Sequence, residues 1–443
     1  MLKITLDHII ELLEHEKYEE LKEKINQLHP GDAAQIINEL PAEYQVKVFS
    51  YLSPEIASDV INDLHDELRE DVLESIQQNR LVEIIDEMDS DEATDIAAEL
   101  ADHQLKDVLQ KIDKEDSDEI KQLLVYDEDT AGGIMQKEII AVNKEMNRAE
   151  MIDHIRAIYD DVEKLYYIFV TDKENKLIGI LEVSKLLLCH DEMKAVDIMD
   201  EDVISAPVGM DQEEVARIFR KYDIYILPVV DKENHLLGRI TVDDIIDVID
   251  DEASEDVYKM VGLENEDKVF TSPLSSVKKR LPWLTLNLFT ALLVSSVVGI
   301  FEGTIARLSF LAVLMPIVAG LGGNSGTQTL TVITRGIALG ELTLHNTYRA
   351  IVKEITVGII NGLLIGSVAM LIAYLLKGNI ILGAVLGISM VCNMFIAGLV
   401  GSSIPVVMKT LKIDPALASS VIITMLTDIG GFATFLGLAT LML

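Results

Sequence analysis

Five apolar runs constrain this chain more than any other feature: roughly 281–301, 308–334, 352–376, 380–408 and 416–441. Each reaches the about 20 residues that a helix needs to cross hydrocarbon. Tilt or a kink absorbs the excess in the longer ones. The expected fold of residues 281–443 is therefore a transmembrane helical domain with five spans.

Charge divides the chain at nearly the same place. Residues 1–272 carry 69 of the 74 acids and 27 of the 37 bases, a net −42, whereas residues 273–443 stand at +5. The overall formal charge of −37 argues against a nucleic-acid partner. Lys278, Lys279, Arg280, Arg335, Arg349, Lys353, Lys409 and Lys412 all fall on one side of a five-span bundle. Only Arg307 and Lys377 fall on the other. Basic loops stay inside, so the N-terminal half is expected in the cytosol and the C-terminus outside. The N-terminus lacks a basic start and a long apolar run, so no signal peptide is expected. Cys189 and Cys392 match no metal or redox spacing and read as buried, reduced thiols.

Two stretches of the apolar half are unusually polar. "GLGGNSGTQT" (320–329) places Asn324, Ser325, Thr327 and Gln328 among glycines at membrane depth, next to Pro316. Their oxygen dipoles suit the water shell of a cation, so this stretch is expected to line an ion path. Gly358, Gly362 and Gly366, four residues apart, read instead as plain helix packing. Asp428 is the other feature: from Asp414 to Leu443 there is no further acid and no Lys, Arg or His. A bare carboxylate in hydrocarbon costs several kcal/mol, so it should face a bundle interior or water. One reading is a structural acid bonded to Thr424 or Thr427. The other, preferred because no intramembrane base is available, is a cation site.

The acidic half carries two kinds of repeat. "LHPGDAAQIINEL" (28–40), "LSPEIASDVINDL" (52–64) and "MDSDEATDIAAEL" (88–100) share a polar or Pro turn followed by a helix. Ala33/Ile37/Leu40, Ala57/Ile61/Leu64 and Ala93/Ala97/Leu100 hold equivalent places, as in stacked helical repeats. Residues 131–250 hold a duplication: "IMQKEIIAVNKEM" echoes "IMDEDVISAPVGM", and "TDKENKLIGILEVSKLL" echoes "VDKENHLLGRITVDDII". The first copy has five extra residues near Asp160–Lys164. Strand-like runs such as "YYIFV" and "YILPVV" alternate with helices, so this is an α+β module used twice. "DKENKLIG" fails as an EF-hand loop because Leu177 stands where glycine is required; it reads as a hairpin turn. Beyond it, Asp243, Asp244, Asp247, Asp250, Asp251, Glu252, Glu255 and Asp256 crowd into residues 243–256. Such a run is usually a solvated helix face. Here the self-repulsion points to a divalent ion, and Mg²⁺ accepts one or two carboxylates while keeping waters.

The tandem copies resemble a pair of cystathionine-β-synthase (CBS) modules, and the order of parts resembles the MgtE family of magnesium channels or transporters over nearly the whole chain. The most specific stretches are "PIVAGLGGNSGTQTLTVITRGIALGEL" (316–342) and "DPALASSVIITMLTDIGGF" (414–432). The resemblance implies an acidic helical domain (1–130), a CBS pair (131–250), a linking helix (251–280) and a pore domain (281–443). It implies a homodimer in the cell (inner) membrane, with a pore lined by the second and fifth spans. Asp428 then matches the pore acid, Asp414 an acid at the cytosolic mouth, and Gly323, Asn324, Gly326, Thr327, Gln328 and Thr424 pore-lining positions. Regulatory Mg²⁺ ligands are implied at Asp211, Glu213 and Asp223, and at Asp244, Asp247, Glu252, Glu255 and Asp256. Asp91 and Asp95, one turn apart, and Asp59 are the candidates in the helical domain. The family allows ATP at the CBS pair. Many members have Gly-Pro after "PALAS", where this chain has Ser420-Val421.

The function these features predict is Mg²⁺ uptake, gated shut when cytosolic Mg²⁺ bridges the acids. Two alternatives stand beside it: an ion-coupled divalent cation exchanger, and a nucleotide-sensing CBS membrane protein without transport. No phosphate-binding G-x-x-x-x-G-K-[ST] loop and no catalytic set of Ser, Cys, His and Asp occurs in the sequence, so an enzyme is not expected.

Overall fold

A computed structural model describes residues 5–158, 165–263, 267, 269, 271–343, 345–417 and 420–443. The extra residues near Asp160–Lys164 lie outside them. The chain forms two compact units, Met1–Ile249 and Asp250–Leu443.

The first unit begins with ten helices among the described residues: α1 (Leu6–Glu14), α2 (Tyr18–Ile25), α3 (Pro30–Glu39), α4 (Ala42–Phe49), α5 (Pro54–Asn62), α6 (Asp66–Ser75), α7 (Gln78–Ile85), α8 (Ser90–Glu99), α9 (Asp102–Lys111) and α10 (Lys114–Leu123). The three sequence echoes are α3, α5 and α8. Pro30 and Pro54 start their helices at the first position, where a missing N–H costs nothing. The three apolar triplets are all buried in one core, because spacings of four and three put them on one helix face.

The duplication folds as two three-stranded sheets. β1 (Ala141–Asn143) pairs in parallel with β2 (Tyr167–Thr171), which pairs antiparallel with β3 (Leu177–Glu182). β4 (Ala206–Pro207), β5 (Ile226–Val230) and β6 (Leu236–Thr241) repeat that order. The parallel pairs need crossovers, supplied by α11 (Arg148–Ile158) and, after the short α12 (Val183–Leu188) and α13 (Ala195–Ile198), by α14 (Gln212–Tyr222). The two "DKEN" segments are hairpin turns. Asn175 and Asn234 sit at φ 60° and 68°, a region asparagine tolerates. Each reaches into the other copy: Asn175 Nδ2 donates to the Leu236 carbonyl at 3.2 Å and Asn234 Nδ2 to the Leu177 carbonyl at 2.7 Å.

The acidic run lies on α15 (Val242–Met260). Residues 251–280 do not form one linking helix. Gly262 turns the chain at φ 75°, open to glycine. Pro273 then starts α16 (Pro273–Ile300), so residues 273–280 belong to the helix of the first span.

Five helices of the second unit are long and apolar enough to cross a membrane: α16, α18 (Phe310–Ala338), α19 (Thr347–Lys377), α20 (Ile380–Thr410) and α21 (Ser420–Met442). A short α17 (Glu302–Arg307) joins the first two. Gly358, Gly362 and Gly366 of α19 meet the backbone of α20 directly. A Cβ on Gly358 would come within 2.4 Å of the Met394 carbonyl oxygen, and one on Gly366 within 2.7 Å of that of Gly387. Cys189 and Cys392 are half-buried, less enclosed than expected.

Candidate cation path and metal sites

In the membrane half, α18 presents two different faces. One is buried against its neighbours. A Cβ at Gly326 would come within 2.5 Å of Ile423 Cγ2, and one at Gly323 within 3.3 Å of Thr424 Cγ2. These two glycines, read from the sequence as path-lining, also pack in the crossing with α21, where Gly326 leaves no room for a Cβ. The other face is exposed and carries Gly320, Asn324, Gln328 and Thr331, with Thr327 half-buried beside them. The exposed face of α19 instead shows Ile360, Leu364, Val368 and Leu371, as suits lipid tails. An amide turned to hydrocarbon is costly, so the α18 stripe fits water or a second polar surface.

Asp428 stands on α21, half-buried. Its Oδ1 is enclosed and has no hydrogen-bond partner among the described residues. The reading in which Thr424 or Thr427 satisfies it is not what the structure has, since the Thr427 hydroxyl donates to the Thr424 carbonyl at 3.0 Å. A second acid of this half, unforeseen from sequence, is Glu354. It is 4% exposed, pairs with Lys353 and accepts from Thr329 Oγ1 at 3.4 Å.

Within the first unit, α8 carries the main acid cluster. Asp91 is 7% exposed and its Oδ1 has no partner. Burial, then the charge of Asp244, raises its carboxyl well above the usual range. Beside it, burial followed by Asp89, Asp59 and Asp244 pushes Glu92 up to about 8. Asp95, on the outer edge, rises to about 6, first through lost solvent and then through Glu128. Burial also raises Asp244, against hydrogen bonds from the Thr241 hydroxyl at 2.6 Å and N–H at 3.2 Å; Asp247 adds to the rise. Asp59, Asp91, Asp95, Asp244 and Asp247 thus share one electrostatic neighbourhood, joined by Glu92, Asp89 and Glu128. An enclosed carboxylate oxygen without a donor is what a hard divalent ion with oxygen ligands would satisfy.

The other acids are arranged differently. Asp211 caps α14, accepting from the Glu213 N–H at 2.9 Å, and Glu213 pairs with Arg217 at 2.8 Å. Asp223 ends the same helix at φ 51°. Twelve steps of 1.5 Å put roughly 18 Å between the two caps, so within one chain a single ion cannot bridge them. In the second unit, Lys259 joins two predicted ligands. Its ammonium pairs with Glu255 and lies 2.7 Å from Asp414 Oδ2. Burial works against that charge, but the two carboxylates outweigh it and raise the lysine above its ordinary value. Glu252 and Asp256 sit one turn apart on the same helix. Asp231, Glu233 and His235 also cluster, but Asp231 Oδ1 already accepts from the Glu233 and His235 N–H groups, and its Oδ2 meets His235 Nδ1 at 2.8 Å.

Known proteins resolve this combination. Residues 315–438 match the divalent cation transporter family MgtE, residues 28–129 the MgtE intracellular N domain, and residues 131–189 and 195–251 the CBS domain. The magnesium transporter MgtE of Bacillus subtilis is 32% identical over 98% of this chain and 96% of its own. That of Enterococcus faecalis is 38% identical over 73% of this chain and 71% of its own. This chain belongs to the MgtE family. The cytosolic domain of the Mg²⁺ channel MgtE, solved in complex with ATP, superposes with a TM-score of 0.52 at 31% identity, covering 55% of this chain and all of that one. MgtE proteins are membrane transporters, and the soluble domains followed by five apolar helices are what this MgtE chain has.

Sequence reasoning missed four residues of these sites. Glu92 was passed over because only Asp91 and Asp95 have the one-turn spacing, yet it shares their helix and its first turn. Lys259 closely follows an acidic run whose opposite sign masks it. Glu354 was lost beside Lys353 at the edge of a span. Glu128 had no local signal, since only folding brings it to Asp95.

Proposed function

We propose that this chain is a Mg²⁺ channel or transporter for magnesium uptake, built as a homodimer in the cell (inner) membrane with its soluble domains in the cytosol. The observation that carries this reading is the half-buried Asp428 carboxylate, its enclosed Oδ1 unpartnered, on a helix packed against the glycine face of α18, whose other face carries the polar stripe. A carboxylate with no base beside it attracts a cation. The amides of Asn324 and Gln328, with Thr327, offer dipoles to the ion's water shell. Thr424 reaches the same crossing. A second copy of the chain would close the open side of the stripe. Mg²⁺ then enters down the membrane potential, worth about 2.3 kcal/mol per charge per 100 mV.

The cytosolic acids serve as the gauge. With Mg²⁺ abundant, ions bridge Asp59, Asp91 and Asp95 to Asp244 and Asp247. Asp211, Glu213 and Asp223 contribute at other places, as do Glu252, Glu255, Asp256 and Asp414. Bridging holds the soluble parts compact and the path shut; repulsion opens it when Mg²⁺ falls. A ligand shifts such a balance only by its differential affinity, so several weak sites act together. The ATP complex of the relative supports nucleotide binding at the CBS pair, tuning this gate.

The test is Mg²⁺ flux into proteoliposomes holding the full chain. Asp428→Asn is expected to reduce flux to background, and flux at the unsubstituted rate rules out the path. Flux that persists without a proton or sodium gradient separates this function from coupled exchange.

A further inference from the structure

Asn393 is a polar side chain that none of the sites above uses. It lies mid-way along α20 and is fully enclosed. Its Nδ2 donates to the Val318 carbonyl of α18 at 2.8 Å, while its Oδ1 has no partner. The amide fills a hole left by two glycines on two different helices. A Cβ on Gly322 of α18 would come within 2.1 Å of Nδ2, and one on Gly431 of α21 within 2.6 Å. Gly431 follows Asp428 by three residues, about one helical turn. Gly322 precedes Gly323, which packs on Thr424. One side chain from α20 therefore occupies the junction of the two helices that carry the path.

A leucine has the same branched outline, though bulkier, and carries no carbonyl oxygen of its own to leave unsatisfied. Holding an amide there with an orphan oxygen is costly in an apolar bundle, and intramembrane polar groups are functional by default. What an amide adds is direction. Close packing holds helices together without choosing a partner carbonyl, whereas one hydrogen bond to one carbonyl permits a single register. A lone buried Asn specifies register in this way between soluble helices.

We propose that Asn393 is a positioning residue that pins α18 to α20 and wedges α21 away from α18 at the depth of Asp428, and so sets which divalent cation the path accepts. The inference rests on the path described above. A shift of either helix moves the stripe amides relative to the carboxylate and changes the fit around a hydrated ion.

The experiment compares initial Mg²⁺ and Ca²⁺ flux in proteoliposomes of the full chain. The ratio of the two is independent of how much protein is folded, so simple structural damage does not move it. Asn393→Leu keeps the branched shape and loses the bond; a fall of about tenfold in the Mg²⁺/Ca²⁺ ratio is expected. Gly431→Ala presses on the same amide and is expected to move the ratio the same way; it decides the matter if Asn393→Leu does not fold. An unchanged ratio in the folded variant, with Asp428→Asn inactive, overturns the role of Asn393 alone. An active Asp428→Asn overturns the path, and the inference with it.

Discussion

Asp91 and Asp428 both hold an enclosed carboxylate oxygen that no donor satisfies, yet their surroundings differ. Asp91 sits among other acids, and charges such as those of Asp244 and Asp89 raise both it and Glu92. Asp428 sits in an apolar helix with no other titratable group on it. Crowding acids makes each added charge harder to hold, so a cluster responds steeply to a divalent ion and reports its concentration. A solitary acid binds without such reinforcement and lets go again. In the function proposed above, the first arrangement measures Mg²⁺ and the second passes it on.

The sharpest way to break that comparison is Asp428→Asn, which should abolish flux while leaving Mg²⁺-dependent protection of the soluble unit from protease unchanged. If protection is lost as well, the two regions are not the separate devices described. Next in size is Glu92→Gln. It removes a carboxyl that keeps its proton up to about 8, so above that pH the metal-free unit should become more protease-resistant, and the Mg²⁺ response should become shallower. The midpoint should rise by about tenfold, equal to roughly 1.4 kcal/mol.

A smaller effect is expected from pH. Glu92 and Asp95 have folded values of about 8 and about 6, against 4.5 and 3.8 for the free groups. The folded unit therefore binds more protons than the unfolded chain between those limits. Without Mg²⁺ its stability should fall as pH rises from about 4 to about 8 and level off above, because the unfolded state holds fewer protons throughout that window. Saturating Mg²⁺ should flatten the slope, and thermal melts of the full chain at several pH values would show it. The smallest change is expected from Lys259→Gln. It frees Glu255 and Asp414 from an ammonium and should lower the Mg²⁺ needed to stop flux by about threefold, since partly exposed ion pairs contribute modestly. A rise in that concentration would make Lys259 a brace of the shut state instead of a competitor.

Much of the fold was legible because it is written in periodicity. The burial of Ala33, Ile37 and Leu40, the hairpins at Asn175 and Asn234, and the five spans follow from patterns within a few dozen residues. The break after α15 was not anticipated, since the acidic run invited one continuous helix and Gly262 is an inconspicuous single residue. The sites were legible by type of residue and less so by arrangement. Asp211 and Asp223 look like neighbours and sit at opposite helix ends. Gly323 and Gly326 look like path residues and also turn out to be contacts between helices. Glu128 and Asn393 acquire meaning only from partners far along the chain.

The contact between α19 and α20 has a mechanical consequence. Where two backbones touch through Gly358, Gly362 and Gly366, no layer of side chains remains to be compressed or rearranged. The pair should move as a single strut, and whatever opens the way for ions must be borne by the helices around it.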